Sequence, residues 1–236
     1  MSAQVREKGV VVAIDGPSGA GKSTITKLLA ARLGYINIDT GAMFRSVALM
    51  AKRRHIDPDD DVSLAELCRA LDISFLRNGE GYRVIVDGED VSRAIRTEEI
   101  SLLTSRISAR KPVRAALLEL QRRMGAQGGV ILEGRDIGTV VFPDAEVKFF
   151  LSASAEERGR RRYLELVARG ENVTLEETVA KVVRRDKQDA EREHAPLRCA
   201  DDALSIDSTA LSIEEVLQIM EATVRERVSR QEVVGH

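Results

Sequence analysis

One stretch near the start of the chain combines the residue types that bind phosphate. Residues 16–23 read Gly-Pro-Ser-Gly-Ala-Gly-Lys-Ser, which fits the G-x-x-x-x-G-K-[ST] pattern of a P-loop. Glycines let backbone N–H groups close on phosphate oxygens. Lys22 can place an ammonium on β- and γ-phosphates, and the hydroxyl of Ser23 can ligate Mg²⁺. The stretch therefore predicts a loop that binds a triphosphate.

The neighbouring sequence supplies the elements that such a loop needs. Residues 10–14 form an apolar, β-branched run of strand length, and residues 24–33 carry apolar side chains at helical spacing. The alternative is a chance match in a glycine-containing turn. A strand before the loop and a helix after it favour phosphate binding, because the helix adds its positive N-terminal end.

Length and composition exclude several other classes of protein. The 236 residues are 43% hydrophobic, which is enough for one large α/β domain with a small insert. A net charge of −2 gives no global basic field, and three Tyr, five Phe and no Trp leave little for stacking bases. We therefore expect no nucleic-acid partner.

The two cysteines and the lengths of the apolar runs indicate the cellular compartment of the protein. Cys68 and Cys199 are too far apart for a local metal or redox motif, and two free thiols suit a reducing compartment. Residues 1–8 are polar and show no signal-peptide core, and no apolar run approaches membrane-spanning length. These features predict a cytoplasmic, ATP-using protein without a membrane partner, and we expect a monomer.

Short apolar runs alternate with helical patterns along the chain, which predicts a doubly wound parallel sheet flanked by helices. In such sheets ligands bind at the carboxyl ends of strands. We expect five buried strands, at residues 10–14, 35–38, 130–132, 147–151 and 204–206.

Polar residues follow two of these strands. Asp39, Thr40 and Arg45 come after the second strand, so we expect them beside the P-loop. Simple helix capping is an alternative role for Asp39 and Thr40, and capping and binding can coexist. Residues 133–136, Glu-Gly-Arg-Asp, follow the strand at 130–132. A surface turn with an ion pair is the alternative there, but the position favours a binding site.

Residues 56–92 interrupt the α/β pattern. Asn78-Gly79 and Asp87-Gly88 are hairpin signals between short apolar runs, and Ser63 with Glu66 fits a capping box for a short helix. The segment predicts a small antiparallel meander inserted into the parallel protein. Its role is either structural or recognition of a substrate.

Residues 156–192 are rich in arginine. Two helices are expected there, each opened by a capping box, Ser154 with Glu157 and Thr174 with Glu177. Charge runs of this kind are usually solvated helix faces. The competing interpretation is a mobile lid that brings arginines to a triphosphate, since unpaired cations would repel one another without a ligand.

Several motifs together resemble the bacterial-type cytidylate kinases, a family of P-loop nucleoside monophosphate kinases. They are I-D-G-P-S-G-A-G-K-S-T at 14–24, D-T-G-A-M-F-R at 39–45, I-R-T-E-E at 95–99, E-G-R-D-I-G-T-V-V-F-P-D-A at 133–145, A-P-L at 195–197 and D-S-T at 207–209. The resemblance implies a single kinase domain over 1–236. Its core would comprise 9–55, 93–155 and 193–230, with a CMP-side insert at about 56–92 and a short arginine-rich lid at about 156–192.

The resemblance also implies a reaction: direct in-line transfer of the γ-phosphate of Mg·ATP to CMP or dCMP, giving ADP and CDP or dCDP. Catalytic roles would fall to Lys22, Arg135, Arg161 and Arg192. ATP would be bound by Gly16, Pro17, Ser18, Gly19, Ala20, Gly21, Lys22, Ser23, Thr24 and the lid residue Arg158, with Ser23 on the metal. CMP would be bound by Asp39, Thr40, Phe44, Arg45, Ser105, Arg114, Arg135, Asp136, Arg185, Asp189 and Arg192.

Within that set, the resemblance assigns parts of CMP to different side chains. Ser105, Arg114 and Asp136 would read cytosine, and Arg185 with Asp189 would face the ribose. The phosphate would be held by Thr40, Arg45, Arg135 and Arg192.

Two positions depart from the common family pattern. Phe44 stands where a Tyr is common, which removes a hydroxyl from the phosphate side, and Glu133 stands where Asp is frequent, which changes its distance to the magnesium shell. A GTPase is disfavoured because no N-K-x-D tetrapeptide occurs. A kinase of another small anionic acceptor such as UMP, and a P-loop ATPase switch, are the alternatives.

Overall fold

A computed structural model describes residues 9–78, 81–192 and 194–234. Five strands form one sheet in the order β2-β6-β1-β7-β8, and β1 pairs in parallel with β6 and β7, as β7 does with β8. This confirms the predicted α/β sheet. The strands are β1 (Val11–Asp15), β2 (Ile36–Asp39), β6 (Val130–Gly134), β7 (Val147–Ser152) and β8 (Leu204–Asp207).

The chain divides into two compact units, which are described separately. Unit 1 consists of Met1–Ile36 and Gln127–His236, and unit 2 is Asn37–Ala126. The helices described in unit 1 are α1 (Lys22–Leu33), α6 (Ala155–Ala168), α7 (Leu175–Ala190) and α8 (Ile213–Val234), together with a π-helical turn at Ile137–Val141.

The core of unit 1 lies between the sheet and helices α1 and α8. Ile14, Phe149 and Leu151 from the strands meet Leu29 of α1 and Leu217 of α8, all of them essentially inaccessible. Burying side chains of this size is the main term that stabilises the fold. The central strand β1 is buried along its whole length, so the P-loop that follows starts from a rigid support.

Helices α6 and α7 pack closely side by side in unit 1. A Cβ added at Gly159 of α6 would lie 2.3 Å from Val179 Cγ2 of α7, so only glycine fits at the crossing. Thr174 and Glu177 form the predicted capping box at the start of α7. At α6 only half of the prediction holds, because Ser154 accepts from the amide of Glu157 while the Glu157 carboxylate binds Arg160 and Arg161.

Unit 2 contains the predicted antiparallel meander. β3 (Ile73–Asn78) pairs with β4 (Gly81–Val86), and β4 pairs with β5 (Glu89–Asp90). Asp87 and Gly88 take positive φ values of 50° and 83°, which confirms the second hairpin turn. Gly79 of the first turn lies outside the described residues. The helices are α2 (Thr40–Arg53), α3 (Asp61–Ala70), α4 (Glu98–Ile107) and α5 (Lys111–Gly125), with a 3₁₀ turn at Ala94–Arg96.

Two local predictions were wrong. Strands β2 and β8 are the edges of the sheet, and only Ile38 and Ile206 within them are buried, so neither is the buried strand that its apolar run predicted. Ser63 does not cap α3, because the Asp60 carboxylate accepts from the amides of Val62 and Ser63, both at 3.1 Å. Asp60 lies before the first turn and is a strong acceptor, so it takes that role.

No helix among residues 9–78, 81–192 and 194–234 is both long and apolar enough to cross a membrane.

Candidate functional site

The P-loop connects the end of β1 to the start of α1. Gly16, Gly19 and Gly21 have φ values of 147°, 80° and 88°, which side chains rarely adopt. At Gly16 an added Cβ would lie 1.9 Å from the carbonyl oxygen of Leu151 in β7. The loop therefore lies directly against the neighbouring strand and leads into the N-terminus of α1.

Lys22 begins α1 and is 6% exposed. Its Nζ donates to the carbonyl oxygens of Gly16 and Pro17, both at 2.7 Å. Burial lowers the pKa of Lys22 well below its ordinary value, and the nearby guanidinium of Arg135 lowers it further, with Arg185 acting in the same direction. The carboxylates of Glu133 and Asp15 raise this pKa, so Lys22 lies near both cations and carboxylates of unit 1, and burial and the cations have the larger effect.

Ser23 and Glu133 place two hard oxygen donors beside the loop. Ser23 Oγ donates to Glu133 Oε2 at 3.0 Å, and the Glu133 side chain is 4% exposed. Hydroxyl and carboxylate oxygens are the ligands that Mg²⁺ prefers, so the donor set fits this ion. In the part of the chain that the structure describes, no group of three His, Cys, Asp or Glu side chains is gathered for a metal.

Glu133 and Gly134 lie inside β6, which is longer than its apolar run predicted, while Arg135 and Asp136 follow it. Arg135 Nε donates to Asp189 Oδ2 at 2.7 Å, and Arg192 donates to the other oxygen of the same carboxylate. Asp189 is buried, with only 1% of its side chain exposed.

The charge of Asp189 is held by its neighbours. Burial alone would raise the pKa of its carboxyl, but Arg135, Arg192 and the more distant Arg185 outweigh burial and lower this pKa. The structure thereby brings together four residues that the resemblance assigned to CMP: Arg135, Arg185, Asp189 and Arg192. Arg135 thus forms its ion pair with Asp189 of α7, which differs from the alternative of a surface turn paired within residues 133–136.

Arg158 lies at the start of α6 and is only 5% exposed. Its guanidinium donates to the carbonyl oxygen of Ser18 in the P-loop at 3.1 Å and forms two bonds to Asp186 of α7, at 3.0 and 2.6 Å. A fourth bond, from Nε to the carbonyl oxygen of Ala153, measures 2.8 Å. Arg158 therefore ties α6 and α7 to the phosphate loop.

Arg161 lies one turn further along α6. It donates from Nη2 to the carbonyl oxygen of Ser208 at 2.8 Å and from Nε to Glu157 Oε1 at 2.8 Å. Hydrogen bonds from Arg160 and Arg161 lower the pKa of Glu157 to about 2. The expectation of unpaired, self-repelling arginines in this region was wrong at these positions, since each has a carboxylate partner within reach.

The turn that begins at Asp136 is held in place by a side chain of β1. The carboxylate of Asp15, the last residue of that strand, accepts from the amides of Ile137 and Gly138 at 2.8 and 2.7 Å. Asp136 itself is 6% exposed. Its carbonyl oxygen accepts from the amides of Val140 and Val141, which closes the π-helical turn.

In unit 2, Asp39 caps a helix and also pairs with an arginine. One carboxylate oxygen accepts from the amide of Ala42 at 2.9 Å and caps α2, while the other accepts from Arg45 Nη2 at 2.9 Å. Thr40 is the first residue of α2 and is 3% exposed. Capping is therefore confirmed for Asp39 but not for Thr40, and Asp39 also orients the guanidinium of Arg45.

The remaining predicted residues of unit 2 lie around the junction of α4 and α5. The Arg114 guanidinium stacks 5.6 Å from the centre of the Phe44 ring and donates to the carbonyl oxygen of Ser108 at 3.2 Å. Ser108 Oγ in turn donates to the carbonyl oxygen of Ser105 at 3.4 Å. Arg114 therefore links α2 to the junction, and Phe44 supplies the surface that positions it.

Sequence reasoning missed the contributions of Asp15, Asp186 and Ser208. Ser208 is 4% exposed and donates to the carbonyl oxygens of Ser152 and Ala20, at 3.0 and 3.4 Å. Asp15 carried a usable signal, because it is a carboxylate at the end of an apolar strand immediately before the P-loop. Asp186 and Ser208 gave none, since their contacts depend on how distant segments pack.

Known proteins resemble this chain over nearly its whole length. The sequence profile of the cytidylate kinase family matches residues 12–226. A cytidylate kinase of Geobacter sp. strain M21 is 76% identical over 226 residues, covering 96% of this chain and 97% of that protein. A cytidylate kinase of Bacillus subtilis strain 168 is 49% identical over 217 residues, covering 92% and 97%.

A solved structure supports the fold at much lower identity. An uncharacterized protein from Eubacterium ventriosum aligns with a TM-score of 0.50 at 11% identity, covering 92% of this chain and 98% of that one. The P-loop between β1 and α1 lies within the residues that the family profile matches. The chain belongs to the cytidylate kinase family.

Proposed function

We propose that this protein transfers the γ-phosphate of Mg·ATP to CMP or dCMP. The observation that carries the proposal is the geometry of the P-loop, where buried Lys22 donates to the carbonyl oxygens of Gly16 and Pro17 at the start of α1, and where burial and then Arg135 lower its pKa against the opposing effect of Glu133. Phosphoryl transfer needs little covalent chemistry from the protein. It needs the reacting groups in line and cations on the developing charge, which these side chains supply.

The P-loop, residues 16–24, would hold the phosphates of ATP. Its positive-φ glycines present backbone amides, and Lys22 would move its Nζ from loop carbonyls to the β- and γ-phosphates. Mg²⁺, when bound with ATP, neutralises phosphate charge. Ser23 would ligate it, with Glu133 accepting the Ser23 hydrogen bond and fixing the position of that hydroxyl.

Arg135 and Arg192 would hold the phosphate of CMP. Both guanidiniums are oriented by Asp189, so they are positioned before substrate arrives and lose little freedom on binding. Asp136 would read cytosine, and Arg185 and Asp189 would face the ribose. In unit 2, we assign the phosphate contact to Thr40 and Arg45, and the base contact to Ser105 and Arg114, with Phe44 and Asp39 as their supports.

Residues 156–192 would act as the lid, with Arg158 and Arg161 on the ATP side. Arg158 already contacts the Ser18 carbonyl of the P-loop, so a movement of α6 would be transmitted to the loop. We also propose the single-domain organisation with the insert at about 56–92, a monomeric state and a cytoplasmic location. The fold and charge are compatible with these, and sedimentation would test the oligomeric state.

A panel of nucleoside monophosphates with Mg·ATP tests the reaction. ADP release should be fastest with CMP and dCMP, slower with UMP, and slowest with AMP and GMP. A site built to hydrogen-bond one base rejects a base that leaves buried groups unpaired. Equal turnover with AMP would contradict the cytosine assignment but leave the kinase assignment intact, and ADP release independent of any monophosphate would favour an ATPase.

A hydrogen-exchange measurement tests the lid. Amides across 156–192 should gain protection when a bisubstrate analogue binds, because closure over the nucleotides would order α6 and α7. The core strand β1 is the internal control and should change little. Unaltered exchange in both segments would contradict lid closure.

A further inference from the structure

In the part of the chain that the structure describes, the side-chain hydrogen bonds of the buried Asp15 carboxylate go to backbone amides outside the P-loop. Asp15 is the last residue of β1 and is 4% exposed. Both of its oxygens are used, one on the amide of Ile137 and one on that of Gly138. These two amides come immediately after Arg135 and Asp136.

The turn that carries Arg135 and Asp136 is held from three directions. Gly134 pairs in register with Asp15 across the β1–β6 ladder. Asp136 has φ −144° and ψ 23°, outside regular helix or strand, and its carbonyl oxygen accepts from the π-helical turn. The peptide between Asp136 and Ile137 cannot rotate without breaking the bond from Ile137 to Asp15.

We propose that Asp15 is a positioning residue for the acceptor nucleotide. It fixes the turn at 136–138 against the end of β1, and thereby sets the directions in which Arg135 and Asp136 project. This role rests on the function proposed above, in which Arg135 binds phosphate and Asp136 reads cytosine. Asp15 acts through the backbone of the turn and touches no substrate.

The anchor, meaning the two hydrogen bonds from the turn to Asp15, is closely packed and therefore sensitive to small displacements. A Cβ added at Gly138 would lie 3.5 Å from Asp15 Oδ2 and 3.1 Å from Cδ of Lys148. Lys148 cannot move away easily, because its Nζ donates to the carbonyl oxygen of Pro143 at 2.6 Å and to Asp202 at 2.8 Å. The carboxylate and the turn therefore have little room to readjust.

The surroundings of Asp15 disfavour its charged form, so its carboxyl can gain a proton at mildly acidic pH. Burial raises its pKa to about 6, the two amide bonds oppose this rise, and nearby Asp136 adds to it. The ammonium of Lys22 in α1 favours the charged form of Asp15. Lys148 of β7 lies against the same turn. The pKa of Cys199 is raised by burial and also by the charge of Asp15. Protonation removes one acceptor, so the anchor should weaken as pH falls through about 6.

The test is Asp15→Asn, which keeps the shape and removes one acceptor. At pH 8 we expect the KM for CMP to rise about 10-fold, equivalent to about 1.4 kcal/mol, with the KM for ATP within about twofold of wild type. Between pH 8 and 5, the KM for CMP should rise in wild type and rise less in Asp15→Asn. The phosphate of CMP also ionises near pH 6, but equally for every variant, so only the difference between variants is informative.

Two further variants test the effect on the KM for CMP, one as a control and one by displacing the turn. Glu146→Gln is the matched control, because the Glu146 carboxylate accepts the amide of Val11 at 2.8 Å at the other end of β1. It should leave the KM for CMP and its pH dependence unchanged. Gly138→Ala displaces the turn without altering a charge, so it should raise the KM for CMP while keeping the wild-type acid dependence.

The outcomes separate this inference from the proposed function. Wild-type turnover with CMP tests the function, whereas the comparison between variants tests Asp15. A folded Asp15→Asn protein with an unchanged KM for CMP, or with equal losses for ATP and CMP, would overturn the positioning role. Should Asp15→Asn fail to fold, an unchanged KM for CMP in Gly138→Ala would overturn it instead.

Discussion

The charged residues that surround the P-loop in unit 1 hold one another in place. Asp189 joins Arg135 to Arg192, and Arg158 joins Asp186 to a carbonyl of the loop. Their chemical types were predictable from the sequence, as was the position of Arg135 at the end of a strand. Their pairing was not, because Arg135 and Asp189 lie 54 positions apart and no local pattern connects them.

Lys22→Met tests the residue with the strongest predicted role in the reaction. Methionine keeps an unbranched side chain of similar length but removes the cation. We expect kcat to fall by about 10²–10³, the usual effect of losing one stabilising donor, with the thermal midpoint unchanged or raised because a buried charge is removed. Steady-state kinetics and thermal unfolding measure the two quantities. Near-wild-type kcat in the folded variant would place Lys22 outside the reaction.

Asp189→Asn tests the carboxylate between the two arginines. Removing one partner of a buried ion pair typically costs about 3–5 kcal/mol, so we expect a loss of unfolding free energy of about 3 kcal/mol at pH 7. The folded-state pKa of Asp189 is lowered. Its stabilisation is therefore present above the ordinary Asp pKa and is lost as pH falls through the lower, folded-state value.

Denaturant unfolding from pH 7 to pH 3 should accordingly show the wild-type and Asp189→Asn curves converging at the acid end. Glu157→Gln provides a comparison at a carboxylate that pairs with exposed Arg160. A constant difference between wild type and Asp189→Asn at every pH would contradict the role given to the Asp189 charge.

At the scale of elements, the hydrophobic pattern predicted which segments form helices and strands, and packing decided the rest. The capping box of Thr174 with Glu177 depends on residues three positions apart, and it is present. Burial of β2 and β8 was wrongly predicted, because an apolar run does not reveal whether a strand lies inside a sheet or at its edge. The arginine-rich helices were predicted as elements, but their mutual contact through Arg158 and Asp186 was not.

Arg158 and Arg160 offer a matched pair within one helix. The Arg158 side chain is 6% exposed and bonds to two elements, whereas that of Arg160 is 55% exposed and pairs only within α6 among the contacts described. Arg158→Ala should destabilise the protein by about 3 kcal/mol, and Arg160→Ala by less than about 0.5 kcal/mol. Chemical denaturation of both variants measures this, and equal effects would show that the Arg158 link contributes nothing.

At the scale of the whole molecule, a small net charge does not show how charged groups are distributed. The chain carries −2 overall, and at the P-loop the cations Lys22, Arg135 and Arg185 lie near the carboxylates of Glu133 and Asp15. Attraction of an anionic substrate to this cluster is screened by salt beyond about 10 Å at 0.1 M. The sequence gives the net charge directly, but the cluster exists only after residues from the two ends of unit 1 meet.

Raising KCl from 50 to 300 mM should therefore raise the KM for CMP several-fold while kcat changes less than twofold, because bound charges are poorly screened. Initial rates with CMP varied at saturating ATP provide the measurement. Sucrose at matched viscosity controls for diffusion. A KM that is independent of salt would mean that the cluster does not attract the substrate.

The discontinuity of unit 1 has a consequence for the synthesis of the protein on the ribosome. The acceptor for the first amide of β1 lies 135 positions later, the partner of Ser23 lies 110 positions later, and the Ser208 hydroxyl that supports the P-loop backbone lies 188 positions away from it. The nucleotide loop is thus among the first parts to be translated and among the last to acquire its partners, while unit 2 emerges as one uninterrupted segment in between. Contacts between residues so far apart in sequence slow folding. During translation the loop therefore remains an exposed, glycine-rich segment. A nascent chain should therefore bind no nucleotide until the helix at Ile213–Val234 has left the exit tunnel.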